Sequence, residues 1–355
     1  MAKNKTSPVS VDTTAIRLRE SNINKLSILK RLTEPLALIA TLVILSIIFT
    51  ILNPRFASPE NFVNLLNQAS LPLILGVGAT LVILLGSIDL SIEGVMGASA
   101  MAFVLLSANT RGSGALGHET ANEGFGVLAI VVAILVGMIF GTASGAIVTK
   151  AKVPSFVVTL GMWFIGLGFA TVLFGTETIP FLSNPEVSGW ASALTAGIPN
   201  SFWAAVVVVA LGSAVLGLTR VGRSVLAIGN NESIARNSGL KVDRIKIMIF
   251  GTAGALSGVG GIIAAIKLGS GSPHVGLGSL FIVIPAVVIG GTSLGGGRGG
   301  IMRTALAVLL LTVLNNGLIL AGVSPNYQSG IAGAIVIAAI IFTASSQRDR
   351  LRIAK

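Results

Sequence analysis

Two acidic residues stand inside an otherwise apolar stretch, Asp89 and Glu93 of LLGSIDLSIEGVMG. A carboxylate in apolar surroundings is costly unless it is paired or hydrogen-bonded. One chemistry such a pair offers is contact with a polar solute or proton coupling, with Ser91 between them supplying a hydroxyl. The other is structural: Asp89 as N-cap of the apolar segment that follows, and Glu93 in its first turn, where the helix dipole favours negative charge. A second polar interruption is VVIGGTSLGGGRGGIM, from Val287 to Met302, with Gly290, Gly291, Thr292 and Ser293 at its start and six glycines between Gly291 and Gly300. A continuous helix does not tolerate that run. It resembles an unwound segment lining a polar path. It is not a phosphate loop: Gly295 and Gly300 have the spacing, but Ile301 stands where lysine is required. Asn315 and Asn316 lie deep in an apolar run and must bond neighbouring helices or line a hydrophilic path.

No other chemistry is visible. The chain has no cysteine and two histidines, His118 and His274, far apart in sequence. Neither a thiolate nor a histidine metal centre is expected, no catalytic residue is assigned, and no cofactor of the chain's own is implied.

The elements holding these residues follow from composition. Of 355 residues 53% are hydrophobic and 10% charged, and mean hydropathy is +0.90. A soluble domain carries roughly 25% charged residues, so lipid must cover much of this surface. The apolar stretches are continuous rather than alternating, which disfavours a β-barrel. A membrane-crossing helix needs about 20 apolar residues. Eight candidates run Pro35–Leu52, Ala69–Gly86, Gly126–Thr149, Ser155–Phe174, Ser201–Thr219, Lys246–Ile266, Ile301–Ala321 and Tyr327–Ala344. Ile92–Ala108 and Ser279–Gly291 are short or broken. The expectation is an all-α polytopic membrane protein of ten segments, with both termini on one side.

Charge fixes the side. With ten segments, all of the 24 lysines and arginines except Arg55, Arg111 and Lys267 fall on one face, the cytoplasmic one by the positive-inside rule. The net charge of +11 is thereby assigned to anionic lipid and not to nucleic acid. Residues 1–34 read as a loose basic cytoplasmic tail without a cleavable signal, 35–344 as the transmembrane domain, 220–246 as a cytoplasmic loop within it, and 345–355 as a cytoplasmic C-terminal tail.

Glycine is abundant, with 44 residues. Gly137, Gly141 and Gly145 form one GxxxGxxxG ridge, and Gly254 and Gly258 another. Small residues let membrane helices approach closely, and the expected use is packing within one subunit. The loop RVGRSVLAIGNNESIARNSGLKVDRIK, Arg220 to Lys246, is mixed polar and apolar; Ile228, Ile234, Ala235 and Leu240 offer a short apolar face. It suits a docking surface for another protein, or a solvated loop on lipid headgroups.

Four stretches carry a family resemblance: GSIDLSIEGVMG (Gly86–Gly97), AIGNNESIARNSGLKVDRIKI (Ala227–Ile247), VVIGGTSLGGGRG (Val287–Gly299) and LNNGLILAGVSPNYQ (Leu314–Gln328). The chain resembles the permease subunits of ribose-type, carbohydrate-uptake ABC importers over about Pro35 to Phe342. The first stretch is close to that family's GIDLSVG pattern and the second to its GxNxxAAxxSGI loop; Ser87, Glu93 and Ser233 depart from the patterns. The resemblance implies a dimer with the solute path near the subunit interface, in the bacterial inner membrane. It implies a separate cytoplasmic ATPase, which binds the ATP and Mg, and a periplasmic or lipid-tethered solute-binding protein. By position Gly229, Asn230, Asn231, Glu232, Ala235 and Gly239 correspond to the ATPase-docking loop, with Gly229 and Gly239 expected to break it on either side of a short helix. The implied function is alternating-access import of a sugar or similar small polar solute. The rival is an ion-coupled secondary transporter with Asp89 as the coupling acid.

Overall fold

The computed structural model describes residues 35–107, 110–111, 127–175, 181–182 and 185–324, with isolated residues between 327 and 334. The tails and most of Tyr327–Ala344 lie outside the described residues.

Seven helices are long and apolar enough to cross a membrane: α1 Pro35–Leu52, α2 Pro59–Leu84, α4 Val127–Lys150, α5 Ser155–Phe174, α7 Asn200–Leu218, α10 Val242–Leu268 and α12 Ile301–Leu320. Two apolar helices are shorter, α3 Ile92–Leu106 and α11 Leu280–Ile289. The remaining elements are small: α6 Pro185–Trp190, α8 Arg220–Asn230, α9 Glu232–Asn237, and strands β1 Thr110–Arg111, β2 Phe181–Leu182, β3 Leu194–Thr195 and β4 Ile198–Pro199. β3 and β4 close a hairpin through Ala196 and Gly197, both at positive φ, the twist that a two-residue hairpin turn requires.

α2 is the centre of the bundle. From Ala69 onward nearly every residue is buried, against α10, α12, α7 and α11. It starts ten residues earlier than hydropathy alone predicts. Ser58 accepts the Asn61 N–H, Pro59 occupies the first turn, and Glu60 faces the helix dipole. Two of the polar residues that lower hydropathy there are partnered: Asn61 with Asn316, and Asn67 with Ser201 and Lys267.

α10 packs on α4, α3 and α2. The two glycine ridges face each other: a Cβ on Gly254 would lie 2.9 Å from Gly141 Cα, and one on Gly141 or Gly137 would run into the backbone of Phe250 or Gly254. Gly145 meets Ile247 and Phe250, and Gly258 meets Ala133. The α4–α10 seam thus runs backbone on backbone within the subunit. α3 packs on α5 in the same way through Gly94 and Gly166.

The two short helices do not reach across a bilayer on their own. A 15-residue helix spans about 22 Å and a 10-residue one about 15 Å, less than the ~30 Å hydrocarbon core. The non-helical segment 87–91 precedes α3, and the loop 269–279 precedes α11. That loop packs onto α3, with Pro273 over Gly97 and Gly276 over Met96.

Candidate helix-break and docking site

The breaks begin with the same backbone device. At the end of α2, Gly86 takes φ +75, its N–H donates to Ile83 O, and Ser87 N–H donates to Val82 O. At the end of α11, Gly291 takes φ +77, its N–H donates to Val288 O, and Thr292 N–H donates to Val287 O. Both are Schellman stops, in which a left-handed residue lets the last carbonyls of a helix find donors. The structural equivalent of Gly86 is therefore Gly291. Gly290 is the right-handed cap residue before it, packed against Arg303 and Thr304.

Past the first stop, Asp89 folds back on its own turn. Its Oδ1 accepts from Ser91 N–H at 2.8 Å and Ser91 Oγ–H at 2.6 Å, and both residues are buried. Asp89 is thus not the N-cap of α3. The cap position belongs to Ser91, whose hydroxyl points back to Asp89 and makes no capping bond. The outer side of the turn hangs on α5, where Ser155 Oγ accepts Ile88 N–H at 2.9 Å and Thr159 Oγ1 accepts Leu90 N–H at 3.0 Å.

Glu93 lies in the first turn of α3, 6% exposed. Its Oε1 accepts the N–H of Leu280, the first residue of α11, at 3.0 Å. Ser279, at the α11 cap position, makes no side-chain cap of its own. One carboxylate therefore serves the N-termini of both half-helices, where unpaired amides and the dipole favour negative charge.

Past the second stop, Ser293 N–H donates to Arg298 O and Gly296 N–H to Ser293 O, closing a tight loop with Gly296 and Gly297 at positive φ. The Thr292 hydroxyl is buried without a partner among the described residues, against Gly299. Asn316 forms a reciprocal amide pair with Asn61, 3.0 Å each way, and so joins α12 to α2 as packing. Asn315 is half-buried, and its side chain makes no hydrogen bond among the described residues. Lower on the same contact, Thr80 and Thr304 hydroxyls meet at 2.9 Å.

α8 and α9 sit at the same end of the bundle as both stops. Val225, Ile228 and Ala235 are buried in it, whereas Ile234 is 64% exposed and does not share their face. The break between the helices is Asn231, in extended conformation, whose Oδ1 accepts Ile234 N–H and Ser233 Oγ–H. Gly229 does not break the element: it lies inside α8, because its lack of a side chain serves close approach to Leu84 and Gly297. Asn230, next in α8, bonds Leu226 O. Gly239, at φ +84, ends α9 in a further Schellman stop. The exposed face carries an ion network: Glu232 with Arg236 at 3.2 Å and Lys246 at 2.6 Å, and Arg236 with Asp243 at 2.7 Å. Partial burial of the Glu232 carboxyl opposes its ionisation, but Lys246 and Arg236 outweigh that and hold it below the usual carboxylate range. Beside the network a groove of about 320 Å³ is lined by Arg236, Leu240, Lys241, Val242, Asp243 and Arg244. Among the described residues no cluster of potential metal ligands occurs.

Sequence reasoning passed over Asn61, Ser155, Thr159 and Gly297. Ser155 and Thr159, one turn apart at the start of an apolar helix, are the one such signal in the sequence; the others show only through their distant partners.

A family model described as branched-chain amino acid transport system / permease component matches residues 61–340. The ribose import permease protein RbsC of Escherichia coli strain K12 is 35% identical over 87% of this chain and 93% of its own length. That of Bacillus subtilis strain 168 is 36% identical over 84% and 89%. The autoinducer 2 import system permease protein LsrC of Yersinia pseudotuberculosis serotype O:3 is 30% identical over 87% and 84%. No solved structure matches. With seven apolar membrane-length helices and these relatives, the chain belongs to the family of ABC-importer permease subunits, as a ribose-type member.

Proposed function

We propose that two copies of this chain, or one copy and a paralogue, form the translocation unit of an importer for a sugar or similar small polar solute in the bacterial inner membrane. A cytoplasmic ATPase drives it, and an external binding protein supplies the solute. The relatives import ribose and autoinducer 2, both small polar molecules. The topology is ten segments with both termini cytoplasmic, Tyr327–Ala344 being the tenth. That places α8, α9 and both helix breaks on the basic, cytoplasmic side.

The observation that carries the reading is the α8–α9 platform. Two short helices between membrane spans have one face sunk in the bundle and the other held rigid by an ion network, with Ile234 projecting outward. An exposed apolar anchor rimmed by charge is the form of a docking surface. Closure of the ATPase on ATP moves this platform and switches the bundle between inward-open and outward-open packings. Asp89, Ser91, Glu93, Gly290, Gly291, Thr292 and Ser293 form the gating turns, and Asn315 lies beside the path. Asn230, Asn231, Glu232, Ala235 and Gly239 shape the platform.

The test is reconstitution into vesicles with and without the ATPase and binding protein. Uptake is expected only with both, and with ATP. Uphill uptake by the chain alone on a proton or sodium gradient would establish the ion-coupled alternative instead.

A further inference from the structure

Three backbone segments meet at one point above the α8–α9 platform. Leu84 O, at the end of α2, accepts Gly297 N–H at 2.9 Å. Gly229 of α8 lies against both: a Cβ there would run into Leu84 O and Gly297 N. A Cβ on Gly296 would sit 2.7 Å from Gly86 N and 3.0 Å from Gly229 Cα. Asn230 adds a side-chain bond to Gly297 O at 3.4 Å, and a Cβ on Gly297 would stand 2.6 Å from the Asn230 amide.

Where helices touch through side chains, a change of rotamer can absorb a small shift. Backbone packed on backbone has no such slack. A small shift of α8 must therefore move both helix breaks or separate them. One break is tied to α5 through Ser155 and Thr159, and the other leads into α12 at Ile301.

We infer that Gly229, Gly296 and Gly297 form a rigid coupling joint that passes displacement of the docking platform to both helix breaks at once, and through them to α5 and α12. Gly229 is the driving element, and Gly296 and Gly297 are positioning residues. The inference rests on the reading of α8–α9 as the ATPase platform.

The experiment places Gly297→Ala in the full chain, reconstituted with its ATPase and binding protein, and measures ATPase co-purification, ATP hydrolysis and solute uptake on the same vesicles. Gly297 faces the bundle side of the joint, so the ATPase should still bind and hydrolyse ATP. Uptake per ATP should fall roughly tenfold, the signature of lost coupling rather than lost docking. Gly322→Ala is the control, since Gly322 has a similar φ of +81 with open space around it, and it should keep the wild-type ratio. A wild-type ratio in Gly297→Ala, or an equal loss in Gly322→Ala, overturns the joint. If Gly297→Ala does not fold, Asn230→Ala carries the test without a clash: losing its neutral hydrogen bonds to Gly297 O and Leu226 O should lower uptake per ATP about threefold, and an unchanged ratio overturns the joint. A wild-type chain that never couples ATP to uptake fails the underlying reading, which separates that failure from failure of the joint.

Discussion

Replacing Glu93 tests whether its carboxylate organises the two half-helices or touches solute. The carboxylate accepts the first amide of α11 at 3.0 Å while sitting in the first turn of α3. Glu93→Gln keeps an acceptor but removes the charge. A charge-assisted bond contributes about 1.5–3 kcal/mol against about 0.5–1.5 for a neutral one. Two helix N-termini add about 0.3–1 kcal/mol each from their dipoles. The glutamine should therefore destabilise by about 2 kcal/mol. Glu93→Ala also leaves the Leu280 N–H without its partner, at about 1–3 kcal/mol, for a total near 3–4. Thermal unfolding in detergent, followed by tryptophan fluorescence, reports on this region because the Trp163 backbone packs on Gly94. The expected order of Tm is wild type, then glutamine, then alanine, with steps of a few degrees at about 2–4 °C per kcal/mol. A glutamine variant as stable as wild type would refute the electrostatic argument. An alanine variant of full stability with no uptake would show that the carboxylate acts on solute.

Asn316→Leu leaves the buried Asn61 Oδ1 without its donor, while Asn61 Nδ2 keeps its bond to Phe56 O, and should lower stability by about 1–3 kcal/mol, whereas the double variant with Asn61→Leu should recover part of the loss; a thermal double-mutant cycle checks both. Gly141→Val forces a branched side chain into the Phe250 and Gly254 backbone, and should prevent assembly of the α4–α10 seam, read as loss of the monodisperse peak in detergent. Glu232→Arg places a cation between Arg236 and Lys246 and should abolish stimulation of the ATPase while leaving the chain folded; normal coupled uptake would count against the docking assignment. The same network sets a pH window. Because the Glu232 carboxyl is held below its ordinary 4.5, its contribution is complete above that value and disappears only as pH falls through the lowered one. ATPase co-purification should therefore stay flat from neutral pH down to the carboxylate range and drop below it.

Hydropathy and charge made the helical membrane architecture legible, because lipid demands long apolar runs and leaves few alternatives. They mislaid the start of α2, since a window average counts Asn61 and Asn67 as breaks, and their partners lie on other helices. Ser58, Pro59 and Glu60 spelled the start locally. Gly229 was misread for a related reason. Glycine lowers helix propensity wherever it stands, and only the approach of Leu84 and Gly297 reveals why this one is tolerated inside α8. The two glycine ridges were visible by spacing, but spacing cannot say that each faces the other. At Asp89 the motif marked a turn, while the choice between a cap and a local loop depended on the single residue at which α3 begins, a boundary that pattern reading resolves only to one or two positions.

α1 has almost no buried residues along its span, whereas α2 is enclosed over most of its length. Both helix breaks are joined to the enclosed element, around which the more exposed helices form a jacket tied to one break through α5. A thicker or thinner bilayer would press first on that jacket, so turnover should tolerate changes in acyl-chain length better than a bundle whose moving parts touched lipid directly.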